Sequence, residues 1–118
     1  MAQSINIAYQ TATIAAASSL SGEVDLGAFQ LVGINMPAAW TAAALTFQVS
    51  TDGGTTWTEM TTSAGAAVSY TVAASQFIAI DPTLWQGVTA VKVRSGTSGT
   101  PVAQGAQALL TLVTRILL

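Results

Sequence analysis

The sequence contains no cysteine and no histidine. Without thiols there is no disulfide framework and no thiolate chemistry. Without either residue most zinc, haem and iron–sulfur sites are excluded. The side chain most often used as a general base is missing too. Charge is scarce: charged residues make up 7% of the 118, against about 25% in an average domain. Three Lys and Arg residues and a net charge of -2 argue against nucleic-acid binding, which relies on cations facing phosphate. Long apolar runs are also lacking. "ATIAAA" and "LLTLVTRILL" fall short of the ~18 residues a spanning helix needs, and the second holds Arg115. The N-terminus has no basic region, since the first cation is Lys92, so no export signal is expected.

What is present is apolar and hydroxylated. Hydrophobic residues reach 51%, much of it Ala, and Thr, Ser, Gln and Ala must cover the surface. A lone soluble domain usually keeps more charge. A surface poor in Lys and Glu is cheap to desolvate, and interface cores are depleted in the same residues. The composition predicts a domain that packs against copies of itself or a larger assembly. An Ala/Thr-rich bias inherited from a GC-rich genome would leave the same trace. The length of 118 residues suits one domain spanning 1–118, and such a domain buries roughly 65% of its unfolded surface.

Short alternating segments separated by turn signals recur along the chain. They are "SINIA" (4–8), "TATIA" (11–15), "GEVDL" (22–26), "QLVGIN" (30–35), "ALTFQVST" (44–51), "TWTEM" (56–60), "AVSYTV" (67–72), "QFIAI" (76–80), "TAVKVRS" (89–95) and "QALLTLVTRI" (107–116). In "ALTFQVST" the alternation puts Leu45, Phe47 and Val49 inside and Thr46, Gln48 and Ser50 outside. "MPAAWTAAA" (36–44) reads as a turn or one helical turn. In "DPTLWQG" (81–87) Asp81 can cap, Pro82 suits the first helical position and Gly87 the exit. No long amphipathic helix and no repeat is seen. The pattern predicts an all-β fold: one antiparallel, jelly-roll-like sandwich of about eight to ten short strands. Residues 1–10 are expected as an extended N-terminal arm, since chain ends are loose unless docked.

"STDGGTTW" (50–57) is the most patterned stretch. Asp52 can accept from the amides of its own turn. Gly53 and Gly54 allow positive φ, Thr56 favours return to extended structure, and Trp57 can lie over the hairpin. Ser50, Asp52, Gly53, Gly54, Thr56 and Trp57 together resemble the Asp-box of sialidase propellers. There the box lies away from the catalytic centre, so the resemblance implies a structural hairpin.

Chemistry is hard to place elsewhere. A carboxylate pair for glycoside cleavage would need two acids across a cleft. Glu23 and Asp25 instead share one strand face, which reads as a solvated edge. Their spacing fits no calcium loop. Ser has no His partner and no nucleophile elbow occurs. No phosphate-binding loop occurs, and the only Lys is Lys92 in a strand. No catalytic, cofactor or metal site is predicted, and the chain is expected not to be an enzyme. Trp40 and Trp85 follow Pro-containing turns and could stack a sugar at loop tips; equally, they could plug the ends of the sandwich. Lys92 and Arg94 share a face and could pair with Glu23 or Asp25, or meet a partner's carboxylates. Arg115, Leu117 and Leu118 mark an apolar terminal segment available for contact.

Two wider resemblances remain. "LTFQVSTDGGTTWTEM" followed by "AVKVRSG" is similar to discoidin-type, galactose-binding-like sandwiches. "VDLGAFQLVGINMPAAWTAAALTFQVSTDGGTTW", "IAIDPTLWQGVTAVKVRSGTS" and "LTLVTR" resemble small structural proteins of tailed-bacteriophage virions. That resemblance implies a head decoration protein, a fibre or spike component, or another small virion part, made in the bacterial cytoplasm and resident in the virion; of these, a capsid decoration or cement subunit is the expected one. Its partner would be the major capsid protein, and it would form a homo-oligomer. The alternatives are a glycan-binding module of a fibre or tail tip, and a neck or tail adaptor.

Overall fold

The computed structural model describes residues 6–116. Eight strands follow in order: β1 (Ile7–Ile14), β2 (Val24–Asp25), β3 (Gln30–Asn35), β4 (Leu45–Ser50), β5 (Thr58–Glu59), β6 (Phe77–Ala79), β7 (Ala90–Ser95) and β8 (Ala108–Arg115). A 3₁₀ turn (Pro82–Trp85) separates β6 from β7. One sheet has the order β1-β8-β3-β6 and the other β2-β7-β4-β5. Every pairing is antiparallel, and the pairs are nested: β1 with β8, β2 with β7, β3 with β6, β4 with β5. A long ribbon folded over on itself in this way gives the two Greek keys of a jelly roll. The chain therefore forms the expected antiparallel sandwich.

The core lies between the sheets. Ile14, Leu31, Ile34, Leu110 and Leu112 come from the first sheet, and Leu45, Phe47, Val91 and Val93 from the second. Most sit at alternate positions, as the period of a strand requires. Leu31 and Ile34 are three apart yet both face inward. A bulge between Leu31 and Gly33 inserts Val32 and shifts the parity. Asp81 accepts from the Thr83 amide at 3.0 Å and opens the 3₁₀ turn, which drops Trp85 into the core. There Trp85 meets Phe47 edge-on, with ring centroids 5.0 Å apart.

Several expectations need correction. Of the expected N-terminal arm, residues 1–5 lie outside the described residues, and Ile7–Gln10 are not an arm, because they pair with β8. "AVSYTV" forms no strand and contributes only the bridges Leu45↔Tyr70 and Thr61↔Ala67. The edge of β4 is already shared, because β5 takes Gln48 and Val49 and the Met60 amide bonds Phe47. "MPAAWTAAA" runs through bends without a helical turn. Thr46 and Ser50 face outward from β4 yet are buried. The Thr46 hydroxyl donates to the Gly96 carbonyl at 2.6 Å and accepts from Arg94, so its outward face is covered.

Candidate functional site

Register and parity place four rows of side chains on the outer face of the β1-β8-β3-β6 sheet. They are Thr13 and Leu109; Thr11, Thr111, Asn35 and Phe77; Tyr9, Val113, Gly33 and Ala79; Ile7, Arg115 and Gln30. Tyr9 is 68% exposed, Phe77 57%, Leu109 51% and Ile7 36%. Four of the five large exposed hydrophobic residues therefore share one surface; the fifth, Leu84, lies on the 3₁₀ turn. Gly33 leaves room for the Phe77 ring, which a Cβ at that position would strike. An aromatic ring covering a glycine on a neighbouring strand shields its backbone. Across the four strands the only charged residue is Arg115, at the end of β8. Water is therefore removed from this face with little electrostatic penalty.

The opposite sheet carries the charges, and they are engaged within the chain. Arg94 is buried. Its guanidinium donates to Glu59 at 2.9 Å and to Thr46 at 3.1 Å. It therefore pairs with neither Glu23 nor Asp25 and is not presented to a partner. Lys92 lies over the Trp57 ring, 4.6 Å from its centroid, a cation–π contact. Trp57 thus packs against β7 and is half-buried.

The 50–57 turn is closed by its own side chains. The Asp52 carboxylate accepts from the Thr55 amide (3.1 Å), the Thr56 amide (3.0 Å), the Thr56 hydroxyl (2.6 Å) and the Ser50 hydroxyl (2.7 Å). The Thr56 hydroxyl, then the Ser50 hydroxyl, hold its carboxyl well below the usual carboxylate range. The Ser50 oxygen also accepts from the Gly54 amide at 2.8 Å. Gly53 and Gly54 have φ of 75° and 99°, which only glycine adopts without strain. Thr89 ties the turn to β7, accepting from the Gly53 amide and donating to the Ser50 carbonyl. Sequence reading missed Thr89, because nothing local marks a residue 36 positions away from its partner.

The remaining candidates separate. Trp85 is fully buried and therefore cannot stack a sugar; Leu84 is the outward residue of that 3₁₀ turn. Trp40 is half-buried and packs on the core. Arg115 is exposed as the one charged side chain of the β1-β8-β3-β6 face, while Leu117 and Leu118 lie outside the described residues. Gln104, also missed from sequence, is buried. It holds the Thr41 amide at 2.8 Å, the Thr41 carbonyl at 3.0 Å and the Ser95 hydroxyl at 2.7 Å.

Among the described residues no pocket opens and no group of three His, Cys, Asp or Glu gathers to hold a metal ion. No helix there is long and apolar enough to cross a membrane. The notable surface is thus the outer face of the β1-β8-β3-β6 sheet, apolar and with Arg115 as its one charge. No protein-family model, no curated protein and no solved structure matches the chain.

Proposed function

We propose that this protein is a non-enzymatic structural subunit of a bacteriophage virion, a decoration or cement protein seated on the head shell. The observation that carries the reading is the outer face of the β1-β8-β3-β6 sheet, where Tyr9, Phe77, Leu109 and Ile7 are exposed among Thr and Val. A face this apolar and this poor in charge favours contact with protein over water. The jelly-roll strand order supports the same reading, since capsid proteins are among the common users of that architecture. The phage assignment itself rests on the sequence resemblance. The action is mechanical: the face lies across junctions between capsid subunits. Roughly 800 Å² buried per partner makes a stable contact, and many copies on one particle add avidity.

The test is binding of purified protein to emptied phage heads, with copy number read by densitometry. Wild type is expected to bind at hundreds of copies per head, and Phe77→Ser with Leu109→Ser to bind far more weakly while remaining folded. Equal binding by both proteins would remove the face from the account. A handful of copies per virion points to a neck or tail adaptor, and retention on glycans to a fibre module.

A further inference from the structure

Among the described residues, β1 is an edge strand with an open side. The Asn6 carbonyl accepts from the Ile116 amide, and the Ala8 carbonyl from the Thr114 hydroxyl. Even-numbered residues therefore turn their backbone groups toward β8. Backbone groups alternate along an antiparallel strand, so those of Ile7, Tyr9, Thr11 and Thr13 point away from it. Among the described residues, none of these four bonds any other backbone group outside the sheet. Natural edges of this length are usually blunted by charge, proline or a bulge. β1 spans 8 residues, "IAYQTATI", with none of these. The edge strands on the other borders have 2 or 3 residues.

We propose that β1 pairs antiparallel with β1 of a second copy of this chain, joining two four-stranded sheets into one across a two-fold axis at Gln10. The inference rests on the docking reading above only in that the joined sheet doubles the same face. Charge and symmetry favour a second copy as the occupant. A two-fold contact sets a patch against itself, and a strand with no charge has nothing to repel its own copy. Residues directly opposite each other in an antiparallel pair point to the same side of the sheet. Opposed positions must then both be odd or both even, which centres the axis on a residue. Centring it on Gln10 sets Ile7 against Thr13 and Tyr9 against Thr11, in both directions. All four outward residues then fall in hydrogen-bonded pairs, giving roughly eight new backbone hydrogen bonds. An axis at Thr11 would leave Ile7 outside this set.

The same register accounts for two exposed side chains. Tyr9, the most exposed large residue at 68%, would lie diagonally across the axis from its copy, within reach of an aromatic ring. Gln10 would face its own copy, and two amides can donate and accept reciprocally. Ala8 and Ala12 share that side of the strand, oppose each other on either flank and leave room for that pair.

The chain has no cysteine, so a single introduced thiol reads the register cleanly. Opposed residues at non-hydrogen-bonded positions have Cα atoms about 4.5 Å apart, within disulfide range. Gln10→Cys is expected to form a covalent dimer under mild oxidation, and Thr13→Cys to form far less. Light scattering on wild type should give twice the 12.0 kDa chain mass. Gln10→Lys, which sets like charges on the axis, should return it to a monomer with an unchanged circular dichroism spectrum. A wild type that stays monomeric at millimolar concentration overturns the proposal. So does a dimer in which Gln10→Cys fails to cross-link. Either failure leaves the docking reading standing, because that is measured on phage heads. A dimer that ignores heads would sink the docking reading alone.

Discussion

Asp52 shows how much one side chain can organise. Its carboxylate accepts four hydrogen bonds within a single turn, and each favours the charged form. The folded pKa therefore lies below the unfolded value of about 3.9. The stabilisation is complete above that pH and is lost as the pH falls below it. Melting temperatures of wild type are expected to fall more steeply than those of Asp52→Asn between about pH 5 and about pH 2. The difference should be small, because the group is open to solvent and screened. Parallel acid limbs would contradict the assignment. Arg94 presents the opposite case, a charge kept from water. Its side chain is 7% exposed and that of Glu59 27%. Removing Glu59 strands a buried cation, whereas removing Arg94 leaves a carboxylate that water can still reach. Glu59→Ala is thus expected to cost about 2 kcal/mol or more, and Arg94→Met less. Urea titration of both variants checks the order, and a reversed order would show that the ion pair is not what stabilises this corner.

Among the elements, the 36–44 segment depends on a residue far along the chain. Its Thr41 backbone is held on both sides by the buried Gln104 amide. Gln104→Ala strips these bonds and the one to Ser95, leaving buried groups without partners. The expected loss is about 2–3 kcal/mol. Hydrogen exchange at the Thr41 amide should rise before that of β4, and unchanged protection there would refute the role. The same segment marks the reach of sequence reading. β4, β7 and β8 were legible because Leu, Phe and Val recur there at alternate positions, and β3 because its run is short, apolar and β-branched. Asp81, Pro82 and Gly87 announced their short helical turn by local chemistry. What was not legible depends on distant partners. Alternation put Thr46 outside, but it could not foresee that Arg94 and Gly96 cover it. A loop-tip reading of Trp85 failed because a 3₁₀ turn chooses which residue it sends inward by packing, and Phe47 was the attraction. "AVSYTV" has strand composition, yet β5 and Met60 had already taken the β4 edge from Phe47 to Val49. The exposed apolar face was visible only as scarce charge; its location required the register.

At the scale of the whole molecule, charge and apolar surface are segregated. One sheet keeps its cations in contact with Glu59, Thr46 and Trp57. The other exposes Tyr9, Phe77 and Leu109 with Arg115 alone for charge. Association through such a face should depend little on ionic strength. Raising NaCl from about 0.05 M to about 0.5 M is expected to change binding to heads by less than about twofold, because screening acts on charges and few are present. Sulfate should strengthen it. A steep salt dependence would place the contact on the charged sheet instead.

The nested pairing also sets an order of events during synthesis. β4 and β5 are neighbours in sequence and flank the Asp52 turn, so their pair is the first that a growing chain can complete. β3 with β6 comes next, then β2 with β7. β1 is made early but must wait for β8, about a hundred residues later, or roughly 5–20 s at bacterial elongation rates. During that interval its apolar strand has no β8 to pair with. Ribosome-bound chains arrested before residue 108 are expected to be digested readily by protease, and chains with Arg115 clear of the exit tunnel to resist it. Resistance in the shorter chains would show that the sheet closes without its central strand. On this ordering, the first sheet closes only once β8 has been made, and the turn at Asp52 is the point from which the ribbon is wound.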